Sequence, residues 1–553
     1  MIFKSIYKSV PIASKPFHET VLNQIWEYSK EFPNKPCFVY ADDDSVQITY
    51  KQVYLNSYSV ANFLEQNGFK HQDIATFVTQ NCWELTPIFL GCSMRGITIS
   101  GASYAFNEHE LAVQFNDSSS KVVFTAENTL QNVLKAVKKS PTVRMIVVID
   151  SSKKAIDELP FGIIKFSDVL AITPVLTSSV ERIDIEKDVL ILPYSSGTTG
   201  APKGVMLSHK NFGSMMKIVQ THFVNVLQPK MKNIFDSWKT ESVILFLPFY
   251  HIYGLGSLFN ALLNGSTGII MRQFDQNIFC KVIEQYKVKI LMVVPPILVF
   301  LAKHPITKNY DLTSIKYILS GAAPCGKDLI DEVKKKFPDI QHIGQGYGMT
   351  EVSMASSFDP FEPQDNAFSS VGRLACNLEM RIVDPDTEQD QDYDGKGEIW
   401  IRGPTVMLGY LNKLDQTDAM VDKDGWLRTG DIGLIDKRNN IYIVDRIKEL
   451  IKVKGLQVPP AEIEDILLSH PQVQDVAVIG IPDAEAGELP KAFVVRNNKK
   501  LTEKDIYDFV AGKLAKYKHL RGGVEFIDEI PKSPAGKILR RLLRDRGNNK
   551  SKI

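Results

Sequence analysis

Short apolar runs alternate with amphipathic stretches through residues 1–444 of the chain. The apolar runs are rich in Val and Ile and have the length of single strands, at 74–78, 121–125, 145–150, 189–193, 290–294 and 317–319. Between several of them the apolar residues recur at helical spacing, as in 51–67 and 327–337. Continuous apolar strands separated by helices are typical of parallel sheets that are covered on both faces. The pattern therefore predicts an α/β fold, with mostly parallel sheets packed with helices in a large N-terminal domain.

The pattern changes near Asp445. Pro459 to Glu462 have the proline and the acid of a first helical turn, and Pro471 ends this helical run. Strand-like and helical runs then follow at 475–481, 492–495, 505–514 and 524–527. We expect a small mobile α+β domain over residues 449–553, after a large domain over residues 1–444. The charged residues 445–448 between the two suit an exposed hinge.

Composition narrows the class of protein. At 553 residues the chain exceeds what one hydrophobic core usually supports, and a net charge of +1 argues against a dedicated nucleic-acid binder. The six cysteines are scattered, so neither a disulfide framework nor a zinc site is expected. The apolar stretches 243–263 and 290–302 are interrupted by prolines, and the second is also short for a bilayer span. We therefore expect no transmembrane segment, no secretory signal and a reducing compartment.

The most informative local sequence is the segment 194–204, which follows an apolar run. It reads Tyr-Ser-Ser-Gly-Thr-Thr-Gly-Ala-Pro-Lys-Gly, and we expect it to lead into a helix from His209. Its glycines let backbone N–H groups approach an anion, while four Ser/Thr hydroxyls and the Lys203 ammonium add donors for phosphate oxygens. The pattern of the common P-loop is absent. A phosphate-binding loop is therefore predicted, and the alternative is a flexible Ser/Gly/Thr linker.

A second glycine-rich segment, residues 345–351, ends in Glu351, and a carboxylate beside substrate phosphates is the ligand that Mg²⁺ usually takes. The alternative for residues 345–351 is an ordinary strand-to-helix turn, which has a similar sequence.

Further segments could also contribute to a site, and each has a plain structural alternative, such as a Gly turn, a core histidine or a solvated Lys-rich face. These segments are 247–254, 320–324, 426–431, 445–457 and 531–540.

Together these segments resemble the acyl-adenylate-forming superfamily. That superfamily contains acyl-CoA synthetases, 4-coumarate–CoA ligases, beetle luciferases and the adenylation domains of peptide synthetases. The resemblance can be followed from about Pro33 to the C-terminus. It implies ATP and Mg²⁺ as cofactors, coenzyme A as co-substrate and a small-molecule carboxylic acid as substrate, with no nucleic-acid partner.

The resemblance also implies roles for individual residues. The implied ATP-binding set is Ser195, Ser196, Gly197, Thr198, Thr199, Gly200, Lys203, Gly321, Ala322, Ala323, Gln345, Gly346, Tyr347, Thr350, Asp431 and Arg446. Within this set Thr350 contacts the α-phosphate and Tyr347 stacks on adenine. Asp431 and Arg446 hold the ribose, because a carboxylate can accept from both hydroxyls at once. Glu351 is the implied ligand of the metal.

The implied catalytic set lies mostly in the small domain. Lys537 corresponds to the adenylation lysine, whose ammonium offsets the repulsion between the attacking carboxylate and the α-phosphate. Lys452 and Gln457 match positions that serve the adenylate and the CoA half-reaction, and His251 faces the acid. Because both loops are present, we expect the small domain to rotate about Lys448 between two ping-pong steps.

The implied activity is an ATP-dependent acyl-CoA synthetase that works through an acyl-adenylate, and other activities remain open. A luciferase-like monooxygenase shares the same motifs. A stand-alone adenylating enzyme would load a carrier protein, although no carrier segment follows Lys537. A non-catalytic binding relative would be expected to have lost Lys537 or Glu351. The acid is open between fatty and aromatic, because Val352-Ser353-Met354 stand where coumarate ligases typically have Ala-Gly-Pro.

The last three residues suggest a location. Ser551-Lys552-Ile553 differs from the peroxisomal address S-K-L only by Ile for Leu. We therefore expect a peroxisomal import receptor as a partner and the peroxisome as the compartment. The alternative is a chance basic tail on a cytoplasmic protein.

Overall fold

A computed structural model describes residues 1–553 apart from 151–161, 177–181, 196–201, 324, 363–369, 447–448, 455, 484–485, 534–535, 537 and 551–553. The helices are α1 Phe17–Glu31, α2 Tyr50–Gln66, α3 Leu85–Met94, α4 Glu108–Ser118, α5 Leu130–Val137, α6 Phe166–Leu170, α7 His209–Thr221, α8 Gln228–Lys230, α9 Ile252–Asn264, α10 Gln276–Tyr286, α11 Pro295–Lys303, α12 Lys327–Lys336, α13 Leu414–Met420, α14 Pro460–Leu468, α15 Glu503–Ala511 and α16 Arg540–Lys550. Within the described residues, none of these helices combines the length and the apolar character that a bilayer span needs.

Within the described residues the strands belong to six sheets. They are β1 Phe3–Lys4, β2 Pro36–Tyr40, β3 Gln47–Thr49, β4 Ile74–Val78, β5 Thr98–Ala102, β6 Val122–Ala126, β7 Met145–Ile149, β8 Ile163–Lys165, β9 Val189–Ile191, β10 Tyr194–Ser195, β11 Lys203–Ser208, β12 Ser242–Leu245, β13 Thr267–Ile270, β14 Ile290–Val293, β15 Tyr317–Ser320, β16 His342–Gln345, β17 Ser357–Phe358, β18 Arg373–Leu374, β19 Glu379–Val383, β20 Gly397–Arg402, β21 Gly409–Tyr410, β22 Leu427–Ile435, β23 Ile441–Arg446, β24 Ile451–Val453, β25 Leu456–Val458, β26 Val473–Asp483, β27 Gly487–Arg496 and β28 Val524–Phe526.

In the part of the chain that the structure describes, the largest sheet has nine strands, in the order β10-β11-β9-β5-β4-β6-β7-β8 with β21 paired to β11. Its central strands β5, β4, β6 and β7 run parallel, as their continuous apolar runs predict. Beside this sheet, helices α2 and α3 approach closely because Gly91 has no side chain. A Cβ atom at Gly91 would lie 2.7 Å from the Cβ of Val60.

Two smaller sheets complete the parallel part of the large domain, with the orders β12-β13-β2-β3 and β14-β15-β16. In the second sheet Val293, Ser320 and Gln345 are register neighbours at the carboxyl ends of three parallel strands. The carboxyl edge of such a sheet is where α/β proteins commonly bind ligands, because the chain leaves each strand there in a loop. Two of the predicted ATP-binding segments begin at this edge.

The large domain also contains an antiparallel sheet, β1-β19-β20-β22-β23. The strand prediction did not include it, because its strands mix buried and partly exposed positions instead of forming continuous apolar runs. The strand next to the N-terminus, β1, adds to one edge, where Phe3 is buried. The other edge strand, β23, ends at Arg446, immediately before the small domain.

The small domain has its own sheet, β25-β24-β27-β26, with β28 paired to β27. It also has a separate hydrophobic core, which includes Val458, Ile463, Leu467 and Val478. All four runs predicted between 475 and 527 are present as β26, β27, α15 and β28. Helix α15 begins with a capping box between Thr502 and Asp505, and Pro460 occupies the first turn of α14. The predicted α/β architecture, with a large N-terminal and a small C-terminal domain, is confirmed.

Candidate active site

Two of the predicted ATP-binding segments leave neighbouring strands side by side. Gly321–Ala323 follow Ser320 of β15, and Gly346 follows Gln345 of β16. The N–H of Gly346 donates to the carbonyl of Ser320 at 3.0 Å. The Gln345 side chain exchanges two hydrogen bonds of 3.0 Å with the backbone of Cys325. The two turns therefore form one wall that is held together by hydrogen bonds.

Asp431 lies at the centre of a second group of predicted residues. Its buried carboxylate accepts a hydrogen bond from the Tyr347 hydroxyl at 2.5 Å and pairs with Nε of Arg446 at 3.1 Å. Burial, and then the charge of Asp431, raise the pKa of Tyr347 well above its usual value, so the hydroxyl remains a donor. Burial, the largest single influence, lowers the pKa of Arg446, but the negative charges of Asp431 and its other acidic neighbours together outweigh it and the pKa is raised. Residues from three separate motifs thus form one charged group.

Glu351 is held by two hydroxyl groups. Ser195 Oγ donates to Oε1 of Glu351 at 3.2 Å, and the hydroxyl of Tyr410 donates to the same oxygen at 3.0 Å. The Lys203 ammonium lies 4.9 Å from the centre of the Tyr410 ring. The sequence analysis missed Tyr410, because the dipeptide Gly409-Tyr410 has no feature that marks a functional site. Only the pairing of β21 with β11 brings Tyr410 to this place.

The predicted phosphate loop joins two strands, and the helix expected from His209 is confirmed as α7, His209–Thr221. β10 and β11 run antiparallel, with Ser195 opposite Lys203, and α7 begins only after β11. Val205 and Leu207 are fully buried at alternate positions, which is the period of a strand. The predicted residues Ser196, Gly197, Thr198, Thr199 and Gly200 lie outside the described part of the chain.

His251 stands at the start of helix α9. Its Nδ1 accepts a hydrogen bond from the backbone N–H of Tyr253 at 3.3 Å. The turn before it passes so close to the helix that a Cβ at Gly254 would lie 2.1 Å from the carbonyl oxygen of Pro248. His251 and Thr350, which were predicted from different motifs, line the same cavity. The cavity is bounded by Gly101, Ser103, Phe106, Gln114, Pro193, Tyr194, Tyr250, His251, Ile252 and Thr350.

The two predicted catalytic loops of the small domain have different surroundings. Gly536, next to Lys537, lies against the large domain, where a Cβ at this glycine would be 3.3 Å from Cγ of Pro296. Lys537 itself is outside the described residues. Lys452 lies exposed on the hairpin β24–β25, where its backbone is paired with that of Gln457. One loop therefore approaches the large domain, while the other faces solvent.

The predicted hinge 445–448 lies between two anchored positions. Its first two residues belong to β23 of the large domain. On its other side, the Glu449 carboxylate pairs with Arg540 at 2.7 Å, and Arg540 also makes two hydrogen bonds to the buried Glu464. Residues 447–448 are outside the described part of the chain. The chain between the two anchors is therefore very short.

Family models match both parts of the chain. Residues 25–411 match the model described as AMP-binding enzyme, which covers more than half of the sequence. The chain belongs to the AMP-binding enzyme family. Residues 462–537 match the model of the AMP-binding enzyme C-terminal domain. This second match begins in α14 and ends at Lys537.

Curated relatives and solved structures agree with this family. The chain is 39% identical to 4-coumarate–CoA ligase 1 of Arabidopsis thaliana, over 98% of this chain and 95% of that protein. It is 40% identical to 4-coumarate:CoA ligase 1 of Petunia hybrida, over 99% and 97% of the two chains. ATP-bound MatB from Rhodopseudomonas palustris has a TM-score of 0.78 at 26% identity, over 95% and 98% of the two chains. An anthranilate CoA ligase in complex with anthranoyl-AMP shares the fold, with a TM-score of 0.83 at 23% identity over 98% and 99%.

This member of the AMP-binding enzyme family is an AMP-forming acid–thiol ligase that uses ATP, Mg²⁺ and coenzyme A. The residues present fit Mg²⁺. Within the described residues no cluster of three His, Cys, Asp or Glu side chains could hold a metal. Glu351 offers one buried carboxylate, and Mg²⁺ commonly takes one carboxylate together with substrate phosphates and water. A bound Mg²⁺ there would neutralise charge on the phosphates of ATP.

Proposed function

We propose that this acyl-CoA synthetase acts on a planar aromatic acid of the hydroxycinnamate class. The observation that carries the proposal is the cavity beside His251 and Thr350, which has Tyr194, Tyr250 and Phe106 in its lining. Aromatic side chains favour a flat ring by offset or edge-to-face contacts. The full-length relatives at 39% and 40% identity are named for 4-coumarate, which supports the same class.

The cavity also offers polar groups for a ring hydroxyl. Ser103 Oγ donates to the hydroxyl of Tyr250 at 3.3 Å, and Gln114 is another polar member of the lining. Burial raises the pKa of Tyr250 to about 12, so its hydroxyl can donate at neutral pH. Gly101 makes this arrangement possible, since a Cβ there would lie 2.8 Å from the Cα of Tyr250.

By the family resemblance Met354 borders the acyl pocket, although it is not among the residues that line the cavity beside His251. It stands where coumarate ligases typically have proline, and its sulfur fills the space beside Gly256 of α9. A Cβ at Gly256 would lie only 2.1 Å from Sδ of Met354. A methionine side chain is long but adaptable, so we expect it to reduce the room for bulky ring substituents without abolishing ring binding.

In the proposed reaction, the acid carboxylate attacks the α-phosphorus of ATP and pyrophosphate leaves. The thiolate of coenzyme A then attacks the acyl carbonyl and AMP leaves. We propose that Lys203 and Lys537 stabilise charge on the phosphates in the first step, with Thr350 beside the α-phosphate. Asp431 and Arg446 hold the ribose, and His251 lies against the carboxylate. Lys452 and Gln457 act after the small domain has rotated.

The test is a substrate panel with ATP, Mg²⁺ and coenzyme A. It compares 4-coumarate, caffeate, cinnamate, benzoate, hexanoate and palmitate by thioester absorbance and AMP release, with Lys537→Ala as the control. We expect the hydroxycinnamates to have the highest kcat/KM and the variant to lose turnover. A preference for hexanoate or palmitate would overturn the aromatic class. ATP–pyrophosphate exchange without thioester would instead indicate a carrier protein or oxygen as second acceptor.

We further propose that Ser551-Lys552-Ile553 directs the enzyme to peroxisomes through the import receptor for such tripeptides. The support is the likeness of these residues to S-K-L, since they lie outside the described part of the chain. A fluorescent protein carrying the last ten residues tests the address, with Lys552→Glu as the control. Diffuse fluorescence from both fusions would overturn it.

A further inference from the structure

We propose that Tyr410 is a positioning residue for the metal and phosphate groups of this site. It holds the carboxylate of Glu351 and the ammonium of Lys203 in a fixed relation to each other. The inference rests on the proposed roles of those two residues, and it adds a third group that the sequence motifs do not contain. Two contacts carry it, one made by the hydroxyl of Tyr410 and one made by its ring.

The first contact orients the carboxylate of Glu351. Both described hydrogen bonds to this carboxylate, from Tyr410 and Ser195, go to Oε1. Among the described residues no donor reaches Oε2, so Oε2 is the oxygen that can bind a cation without losing a protein partner.

The second contact concerns Lys203. Its ammonium lies 4.9 Å from the centre of the Tyr410 ring, within the range of a cation–π interaction. This contact favours the charged form of the lysine. One side chain thus contacts an anionic and a cationic group of the same site, by different atoms.

The backbone around Tyr410 holds it rigidly. β21 pairs with β11, so Tyr410 lies opposite Val205, two residues after Lys203. The N–H of Met407 donates to the backbone carbonyl of Glu351 at 2.9 Å. The Tyr410 N–H donates to Thr417 Oγ1 at 2.8 Å, and the strand can pass this close to Thr417 only because Gly409 precedes Tyr410. The ring therefore keeps one position relative to both partners.

Tyr410→Phe tests the role of the hydroxyl, because it removes the bond to Glu351 and keeps the ring. Mn²⁺ is the probe, and its binding in the presence of a non-hydrolysable ATP analogue is measured by electron paramagnetic resonance. We expect the affinity for Mn²⁺ to fall about tenfold, since a hydrogen bond to a charged group is lost. The Mg²⁺ concentration for half-maximal ATP–pyrophosphate exchange should rise by a similar factor, with the KM of the acid unchanged.

Tyr40→Phe is the matched control. Tyr40 is also buried, and its hydroxyl also donates to a buried glutamate, Glu84, at 3.0 Å, but this pair is outside the proposed site. We expect Tyr40→Phe to alter thermal stability without altering Mn²⁺ affinity. Equal Mn²⁺ affinity in Tyr410→Phe, Tyr40→Phe and the parent enzyme would overturn the proposal.

Tyr410→Leu removes the ring as well and tests the contact with Lys203. We expect it to add a several-fold increase in the Kd of the ATP analogue to the metal defect of Tyr410→Phe. An unchanged nucleotide affinity would overturn the part of the proposal that concerns Lys203. These binding measurements need no acid, so they remain decisive even if the substrate panel overturns the aromatic class.

Discussion

The carboxylate of Asp465 fills the space that a side chain at Gly326 would need. A Cβ at Gly326 would lie 1.3 Å from Oδ1 of Asp465. Gly326 immediately precedes α12 of the large domain, and Asp465 lies on α14 of the small domain. Lys303 adds a second link, since its ammonium donates to the carbonyls of Leu468 and Val473 at 2.9 Å. The orientation that these contacts hold is the one in which Gly536 lies against Pro296.

Gly326→Ala should therefore impair the first half-reaction more than the second. The added methyl group would displace the carboxylate of Asp465 from its place beside α12, and overpacking of this kind costs about 1–3 kcal/mol. We expect ATP–pyrophosphate exchange to fall about fivefold or more. Thioester formation from a synthetic acyl-adenylate should be unchanged or faster. Gly512→Ala is the control, because a Cβ there meets the Asp508 carbonyl at an ordinary 3.4 Å. Equal loss in both half-reactions would contradict this reading of the contact.

The same contact should depend on pH. Burial first, and then the charge of Asp328, raise the pKa of Asp465 from 3.8 to about 6, while Lys513 acts in the opposite direction. A carboxyl group with a raised pKa binds its proton more tightly in the docked form, so docking is strongest below pH 4 and weakens as pH rises through 6. We expect pyrophosphate exchange of the parent enzyme, relative to Asp465→Asn, to fall between pH 5 and 7. A ratio that stays constant over this range would refute the prediction.

Lys448→Pro should slow thioester formation more than adenylation. A proline fixes φ in the short chain between β23 and the anchor at Glu449, so the rotation expected between the two steps is restricted. Stopped-flow measurement of thioester formation from a preformed adenylate, compared with pyrophosphate exchange, separates the steps. Lys448→Ala is the control, because it removes the ammonium and keeps the backbone free. If both steps slow by the same factor, the hinge assignment is wrong.

Arg540→Met should destabilise the small domain strongly. Arg540 pairs with Glu449 and with Glu464, and the substitution leaves both of these mostly buried carboxylates without their cation. Loss of one partner from a buried ion pair costs about 3–5 kcal/mol. Urea unfolding that is followed in the small domain should show a lower midpoint. Arg546→Met is the comparison, since Arg546 is exposed in its pair with Glu525 and such pairs contribute about 0–1 kcal/mol. Similar midpoints for the two variants would contradict the prediction.

The continuous apolar strands and the presence of a large and a small domain were predictable from local sequence. The predicted run 74–78 is strand β4 in the structure, because a short apolar run of this length between turn residues is typical of a buried strand. The antiparallel sheet was not predictable in the same way. Its strand β22, Leu427–Ile435, contains Gly430-Asp431 and mixes buried with partly exposed positions, so it resembles a turn between short runs.

The same distinction between local and long-range information applies to the candidate site. The types and spacing of its residues could be predicted. Asp431, Glu351 and Lys203 each stand in a short segment that can be identified from the order of its glycines and polar residues. Their partners could not be predicted. The bond from Tyr410 to Glu351 joins residues 59 positions apart, and the bond from Tyr347 to Asp431 joins residues 84 apart.

The sequence by itself determined that this protein has strands and helices in α/β order, a small second domain, and the chemical groups needed to bind ATP and activate an acid. These properties depend on residues that are close together along the chain, so hydrophobic periodicity and motif spacing are enough to predict them. Only the tertiary structure decided that the predicted phosphate loop lies between two strands, that Tyr410 contacts Glu351, and that Asp465 docks beside Gly326. Those outcomes depend on strand register and on side-chain volume at contacts between distant segments, and no local pattern encodes either of them.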